Sequence, residues 1–431
     1  MLREISPNNT KQLREFLDSR MTDIPDSVMH AAMDILSAVK KEKDAACFRY
    51  TRQFDGIEMT SWRVTEEELA QAASKCDPFF MESMQKAKEN ILYFHMAQKQ
   101  NSYLLQKEDG VYLGQRVLPL DSIGIYVPGG RAQYPSSVLM NALPAKVAGV
   151  ERIVMVTPPD KEGSIHPNIA FAAKLAGVDE IYKIGGAQAI GALAYGTETI
   201  RPVDKIVGPG NIYVAAAKKL VFGKVDIDMI AGPSEILVIA DSGADPVYVT
   251  ADLLSQAEHD PMASAILLTT DRNVLDAVNK ELEKQLAALP RRAIAEESIR
   301  TYGTAIVCDT IEECIEFSNA IAPEHLELMI EDPMKVLNRV RHAGSVFMGY
   351  YTCESIGDYY GGTNHVLPTG GTARFSSALG VDAFIKKSSF LHYTKEALDK
   401  GAAYIESMAE QEHLHGHANA VLVRSRHEDN V

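Results

Sequence analysis

From residue 121 onward the chain alternates short β-branched runs with alanine-rich stretches, and few folds tolerate that texture. RIVMVTPP, EIYKIGG and DKIVGPG each end in proline or glycine, and NIAFAAKLAGV and NIYVAAAKKLVFG lie between or after them. Strand-length apolar runs separated by helix-length runs are what the βαβ units of a mostly parallel sheet require. The pattern resumes at EILVIAD, PVYVTADLLSQAEHD and ASAILLTTD, then runs into a long charged helix ending near AALPRR, which predicts a second α/β unit. Residues 1 to about 120 differ. They are charge-rich, sparse in Gly and Pro, and the apolar spacing of VMHAAMDILSAVKKEKDAACF and of ESMQKAKENILYFHM predicts a mostly helical segment. After about 378 the chain reads as helical and then polar, an arm rather than a core.

Length and charge narrow the function. A chain of 431 residues exceeds one ordinary core, so two to three domains are expected. Its 58 acidic against 43 basic residues give a net charge of −15, and no basic stripe stands out to neutralise phosphates. Nucleic acid and anionic membrane surfaces are therefore not expected as partners; a small molecule is. The five cysteines are scattered without CxxC spacing, which suggests neither a disulfide framework nor a zinc ribbon and fits a reducing cytoplasm. The start, MLREISPNNTKQ, has no apolar segment, and no run of eighteen apolar residues occurs, so neither a secretory leader nor a membrane span is expected.

Several segments carry residues capable of chemistry. No GxGxxG follows a strand, yet IGGAQAIGALAYG and VGPGNIYV place glycines at strand-to-helix turns, where a bare backbone lets a ligand or the next element approach. In DLLSQAEHDP, Gln256 and His259 stand three apart on a predicted helix and can share one face, a donor pair suited to zinc or manganese. A solvated histidine near a helix C-terminus is the ordinary alternative. In APEHLELMI, Glu324 adjoins His325 just after a proline; the imidazole can act as a base near neutral pH while the carboxylate activates water, or both can lie on an exposed turn. The stretch ESIGDYYGGTNHVLPTGGTARFSS is long, polar and irregular, which marks a functional loop, with Asp358 and His365 as metal or substrate candidates. Near the end, QEHLHGHANA sets three histidines at alternate positions; His413 and His417 would share a helix face, and all three a strand face.

Taken together, YVPGGRAQYPSSVLMNALPAKVAGV, GGAQAIGALAYGTE, DKIVGPGN, IAGPSEILVIAD, DLLSQAEHDP, APEHLEL and GDYYGGTNHVLPTGGTARFSS resemble the histidinol dehydrogenase family, in that family's order and spacing from about residue 120 to 420. The resemblance implies oxidation of L-histidinol to L-histidine with two NAD+ and water, at the end of histidine biosynthesis, by a zinc-containing homodimer. It implies Gln256, His259, Asp358 and His417 as zinc ligands, the last from across the dimer, with substrate nitrogens filling the remaining positions. Glu324 and His325 match the catalytic pair. Ser234, His365 and Glu412 fall at or beside substrate-contact positions, joined there by the metal ligands and His325, and Glu412 also comes from across the dimer. Tyr126, Gln188 and Asn211 match NAD contacts. The implied fold is two similar incomplete Rossmann-like units with terminal extensions that embrace a partner. Its expected parts are an N-terminal extension at 1–20, a first α/β domain at 21–126 plus 236–377 with the metal and catalytic pair, a second at 127–235 with the NAD contacts, and a dimerisation arm at 378–431.

Oxidising an alcohol to an acid takes two hydride transfers with a hydration between them, because an aldehyde gains a transferable hydride only as its gem-diol. One base and one activated water then suffice, which matches an adjacent histidine and glutamate. A thiohemiacetal route through cysteine is the competing mechanism; Cys353 alone lies near a matched motif, and MGYYTCESIG offers no thiolate-stabilising cation. A relative acting on another small alcohol, a zinc hydrolase, and a non-catalytic binding protein are the competing functions, and NADH formation with histidinol separates them.

Overall fold

The structure is a computed structural model that describes residues 1–9, 11–12, 15–16, 24–129 and 134–425. Residues 10, 13–14 and 17–20 of the expected N-terminal extension, 130–133 of the YVPGGRAQYP motif and 426–431 of the expected arm lie outside the described residues. The chain divides into two compact units, the first formed by residues 1–98 and 120–384, the second by 99–119 and 385–431.

The first unit contains two sheets whose strands are parallel throughout. One has five strands in the order β6-β5-β4-β7-β8, namely Glu180–Lys183, Arg152–Thr157, Ser122–Tyr126, Lys205–Val207 and Asp226–Ile227. The other has six in the order β1-β11-β10-β9-β12-β13: Arg3–Glu4, Thr304–Val307, Ser264–Thr269, Glu235–Ala240, His325–Met329 and Ser345–Met348. Nearly every residue of β5, β9 and β10 is buried, as strands covered on both faces must be. The strand period of two sorts them: Ile153 and Met155 face one core with Leu139, Leu143 and Ile169, while Val154 and Val156 face the other with Leu36, Val39 and Ile190. The six-stranded sheet divides likewise, Ile236 and Val238 packing with Leu253 and Leu275, and Leu237 and Ile239 with Ile315 and Leu328.

The helices Asp26–Glu42 and Pro78–Met96 form where apolar periodicity predicts them, Glu66–Ala73 adds another between them, and their apolar faces go to the five-stranded sheet and its helices. At the amino ends of β5 and β6, Arg152 holds Glu180 through two hydrogen bonds of 2.8 and 3.1 Å, with Arg201 and Tyr182 also donating to it. These partners, Arg152 foremost, hold the Glu180 carboxyl at about 2.

Residues 103–119 depart from the helical expectation. They form an antiparallel hairpin of β2 (Tyr103–Glu108) and β3 (Val111–Pro119), which β14 (Ile385–Tyr393) extends to a three-stranded sheet in the second unit. The turn is Asp109-Gly110 with Gly110 at φ +80°, the conformation for which Asp-Gly is selected. The helices Lys395–Gln411 and His415–Ser425 complete that unit. Among the described residues no helix is long and apolar enough to cross a membrane.

Candidate active site

Glu324 and His325 owe their placement to a helix stop. The helix Ile311–Ile321 ends at Ala322 in a left-handed conformation, φ +52°, and Pro323 prevents its continuation, so the chain turns directly into β12. Across from it Gly344 lies so close that a Cβ there would meet the Glu324 carbonyl at 2.6 Å. The pair thus sits at the amino end of β12, beside the amino end of β9.

The backbone of Glu235, first residue of β9, fixes both side chains. Its N–H donates to Glu324 Oε2 at 2.9 Å, and its carbonyl lies 3.0 Å from His325 Nδ1. A carbonyl only accepts, so Nδ1 carries the ring proton and Nε2 keeps its lone pair. Nε2 is buried without a hydrogen-bond partner among the described residues, 3.9 Å from Asp358 Oδ1. Burial, the leading cause, lowers the His325 pKa, so the ring is neutral. The same burial pushes the Glu324 carboxyl well above the ordinary carboxylate range, against the opposing hydrogen bond from Glu235. An unprotonated imidazole and a carboxyl poised to exchange a proton, 3.7 Å apart, are suited to acid–base chemistry near neutrality.

Gln256 is fully buried on the helix Pro246–Ala257. That helix stops at Ala257, so His259 lies in the turn two residues beyond it rather than on it, its N–H donating to the Gln256 carbonyl at 3.1 Å. Burial lowers the His259 pKa while Asp358 opposes the shift, which places the two within electrostatic reach. Asp358 stands on a wide helical turn, Ile356–Tyr360, and its carbonyl accepts from His365 Nδ1 at 3.0 Å. His365 Nε2 in turn accepts from Ser137 Oγ at 3.1 Å.

Sequence reasoning passed over Glu354. Its buried carboxylate lies 2.6 and 3.1 Å from the Gln256 amide nitrogen, once that amide is oriented so that its oxygen accepts from Glu235 N at 3.1 Å. Ser255 Oγ also donates to it at 3.1 Å, and its own N–H donates to Glu327 Oε1 at 2.8 Å. Donor atoms of His325, Glu354 and Asp358 all lie within 4.8 Å of one another. A histidine and two carboxyl groups this close could hold a divalent cation, and the ligand set implied by the resemblance shares Asp358 with them. Neighbouring Glu327 and Asp252 share a hydrogen bond; burial raises both, Asp252 to about 6.

The dinucleotide candidates lie at the carboxyl ends of the five-stranded sheet. Tyr126 ends β4, and its hydroxyl accepts from Gly186 N at 3.0 Å, with burial pushing the phenol to about 12. Gly186 has φ +66°, and a Cβ there would fall 2.6 Å from Gln188 Oε1, so glycine is required for Gln188 to fold back over the turn. That Oε1 is buried and has no partner among the described residues. Asn211 is exposed and caps the helix Ile212–Val221, accepting from Tyr213 N and Val214 N at 3.0 and 3.1 Å.

A cavity of about 110 Å3 is lined by Ser234, Glu324 and His365 together with Gly208, Lys218 and Asp228. Glu412 and His417 belong to the second unit and are exposed. There the helix Lys395–Gln411 stops at Glu412, His413 turns left-handed at φ +59°, and a new helix starts at His415. The three histidines therefore share neither a helix face nor a strand face, and His415 is occupied by Glu410 at 2.8 Å.

The sequence profile described as Histidinol dehydrogenase matches residues 18–425. The histidinol dehydrogenase of Listeria monocytogenes serovar 1/2a is 55% identical over 395 residues, 92% of each chain, and that of Bacillus cereus is 55% identical over 405 residues, 94% of each. The crystal structure of histidinol dehydrogenase from Elizabethkingia anophelis superposes with a TM-score of 0.94 at 44% identity, covering 98% of both chains. With a family profile and relatives matched over nearly its whole length, the chain belongs to the histidinol dehydrogenase family.

Proposed function

We propose that this protein oxidises L-histidinol to L-histidine through the aldehyde, using two NAD+ and one water, as the last steps of histidine biosynthesis. The observation that carries the reading is the His325 tautomer: Glu235 holds the proton on Nδ1, leaving Nε2 a buried lone pair that faces Asp358. In the first step Nε2 takes the carbinol proton while the carbinol hydride leaves for the nicotinamide. Glu324 then removes a proton from water as its oxygen bonds to the aldehyde carbon, while His325 returns the proton taken in the first step to the carbonyl oxygen, giving the gem-diol and a neutral imidazole again. In the second transfer His325 accepts a gem-diol proton, the remaining hydride goes to the second NAD+, and the carboxylic acid forms.

Gln256, His259 and Asp358 would hold a zinc ion, with His417 supplied by a second copy of the chain. When bound, zinc anchors the substrate's imidazole and amine and so fixes the carbinol next to the catalytic pair. Glu354 orients the Gln256 amide from behind. Ser234, His365 and, from the second copy, Glu412 complete the substrate contacts; a carboxylate there suits a cationic amino alcohol. Tyr126, Gln188 and Asn211 receive NAD, a role supported by the unpartnered Gln188 oxygen at a glycine turn. A homodimer is supported by the exposed apolar side chains of the second unit, Tyr103, Leu104, Leu105, Leu391, Tyr404 and Met408. Five free thiols fit a cytoplasmic setting.

Purified, zinc-loaded protein should form two NADH per L-histidinol consumed, with histidine as product. One NADH per histidinol with aldehyde released, or no reaction with histidinol alongside turnover of another alcohol, would refute the assignment in favour of a relative with a different substrate.

A further inference from the structure

A buried ion pair stands on the wall of the active-site cavity where neither the catalytic pair nor the cation cluster uses it. Lys218 and Asp228 both line that cavity, their side chains nearly inaccessible to solvent and in direct contact. Burying two charges is unfavourable unless further hydrogen bonds satisfy them, so what they hold matters more than their mutual attraction. They hold one residue, Gly208, by both its backbone N–H and its carbonyl. Asp228 Oδ2 accepts from Gly208 N at 2.7 Å, and Lys218 Nζ donates to Gly208 O at 3.0 Å.

The position of Gly208 is fixed from a third direction. Its φ is +105°, and a Cβ would fall 2.2 Å from the Tyr126 carbonyl oxygen, so the loop presses against the backbone of a coenzyme candidate. Three residues on, Asn211 caps the helix that carries Lys218. Loop, helix and lysine therefore form a closed ring, with Asp228 as its outside brace. A hydride acceptor must come within about 3–3.5 Å of the carbinol carbon. The nicotinamide thus has to reach the cavity that Glu324 and Ser234 share with Gly208 and Pro209.

We propose that Lys218 and Asp228 are positioning residues for the nicotinamide half of the coenzyme, acting by holding the Gly208–Asn211 loop as a rigid wall. The inference rests on the NAD-dependent reading above, and wild-type NADH binding tests that reading separately. The experiment compares wild type, Lys218→Met, and the double variant Lys218→Met/Asp228→Leu, which leaves no unpaired buried charge and so protects the fold. NADH affinity is measured by fluorescence and histidinol affinity by calorimetry, on zinc-loaded protein of unchanged melting behaviour. NADH should bind roughly tenfold more weakly in both variants, the effect of losing one hydrogen bond to a charged group, while histidinol affinity stays unchanged. KM for NAD+ should rise accordingly, with KM for histidinol unmoved. Unchanged NADH affinity in the double variant, an equal loss for both ligands, or failure of both variants to fold would overturn the assignment, the last two by making the pair a general structural support.

Discussion

At the scale of single residues, burial acts in opposite directions on two neighbours. It pushes the Glu324 carboxyl up and the His325 imidazole down, bringing a strong acid and a weak base toward a common range. Glu324→Gln keeps the shape and an acceptor for Glu235 N but cannot take a proton from water. Its kcat should fall by about 10²–10⁴-fold, with KM for histidinol nearly unchanged in steady-state kinetics; a raised KM with normal kcat would assign Glu324 to binding instead. Cys353→Ser should retain wild-type turnover, and loss of activity in a folded variant would restore the thiohemiacetal route. Glu324 and His325 were legible in the sequence because they are adjacent and follow a proline. Glu354 was not, although it opens the loop that contains Asp358: a glutamate shows its role only when its neighbours bury it against Gln256.

At the scale of elements, the two parallel sheets carry their candidate residues at opposite strand ends. In the five-stranded sheet, Tyr126, Gln188 and Asn211 follow the carboxyl ends of β4, β6 and β7, where strand order reverses about β4, the usual crevice for a ligand in an open α/β sheet. In the six-stranded sheet, Ser234, Glu235, Glu324 and His325 stand at the amino ends of β9 and β12. Their backbone N–H and carbonyl groups thereby become available to orient the catalytic pair. Strand–helix alternation was readable because its period is local; which strand end carries chemistry was not, since it depends on how the two sheets meet. The hairpin at 103–119 had a local signal in Asp109-Gly110, outweighed in the sequence by the helical pattern before it. The Arg152–Glu180 pairing belongs to this scale too. Because the folded carboxyl sits at about 2, below the roughly 4.3 of an unfolded glutamate, its contribution is complete above that upper value. It is lost as pH falls toward the lower one. Glu180→Gln should lower stability at pH 7 and flatten the acid limb of a denaturation-versus-pH curve between those values; parallel acid limbs would show that the pairing contributes nothing.

At the scale of the whole molecule, the proposal that His417 serves a neighbour's site makes a sharp demand. His417→Ala should lose zinc and activity by metal analysis and NADH assay, and His415→Ala should lose neither. Mixing inactive Glu324→Gln and His417→Ala subunits should restore about a quarter of wild-type activity, because random C2 pairing gives half heterodimers with one intact site each. No recovery after verified subunit exchange would place His417 in its own chain's site. Family motifs in order made the membership readable from sequence, whereas the packing of residues 26–96 on the five-stranded sheet was not, because an amphipathic helix does not encode which apolar surface covers it. The edge strand β1 carries one more implication. Arg3–Glu4 pairs with Thr304–Ala305, so during synthesis this strand has no partner until the chain has grown past residue 305. The five-stranded sheet, drawn wholly from 122–227, can assemble long before. Synthesis should therefore yield an early, protease-resistant core around the five-stranded sheet, with closure of the six-stranded sheet as a late and slow event set by its long sequence separations.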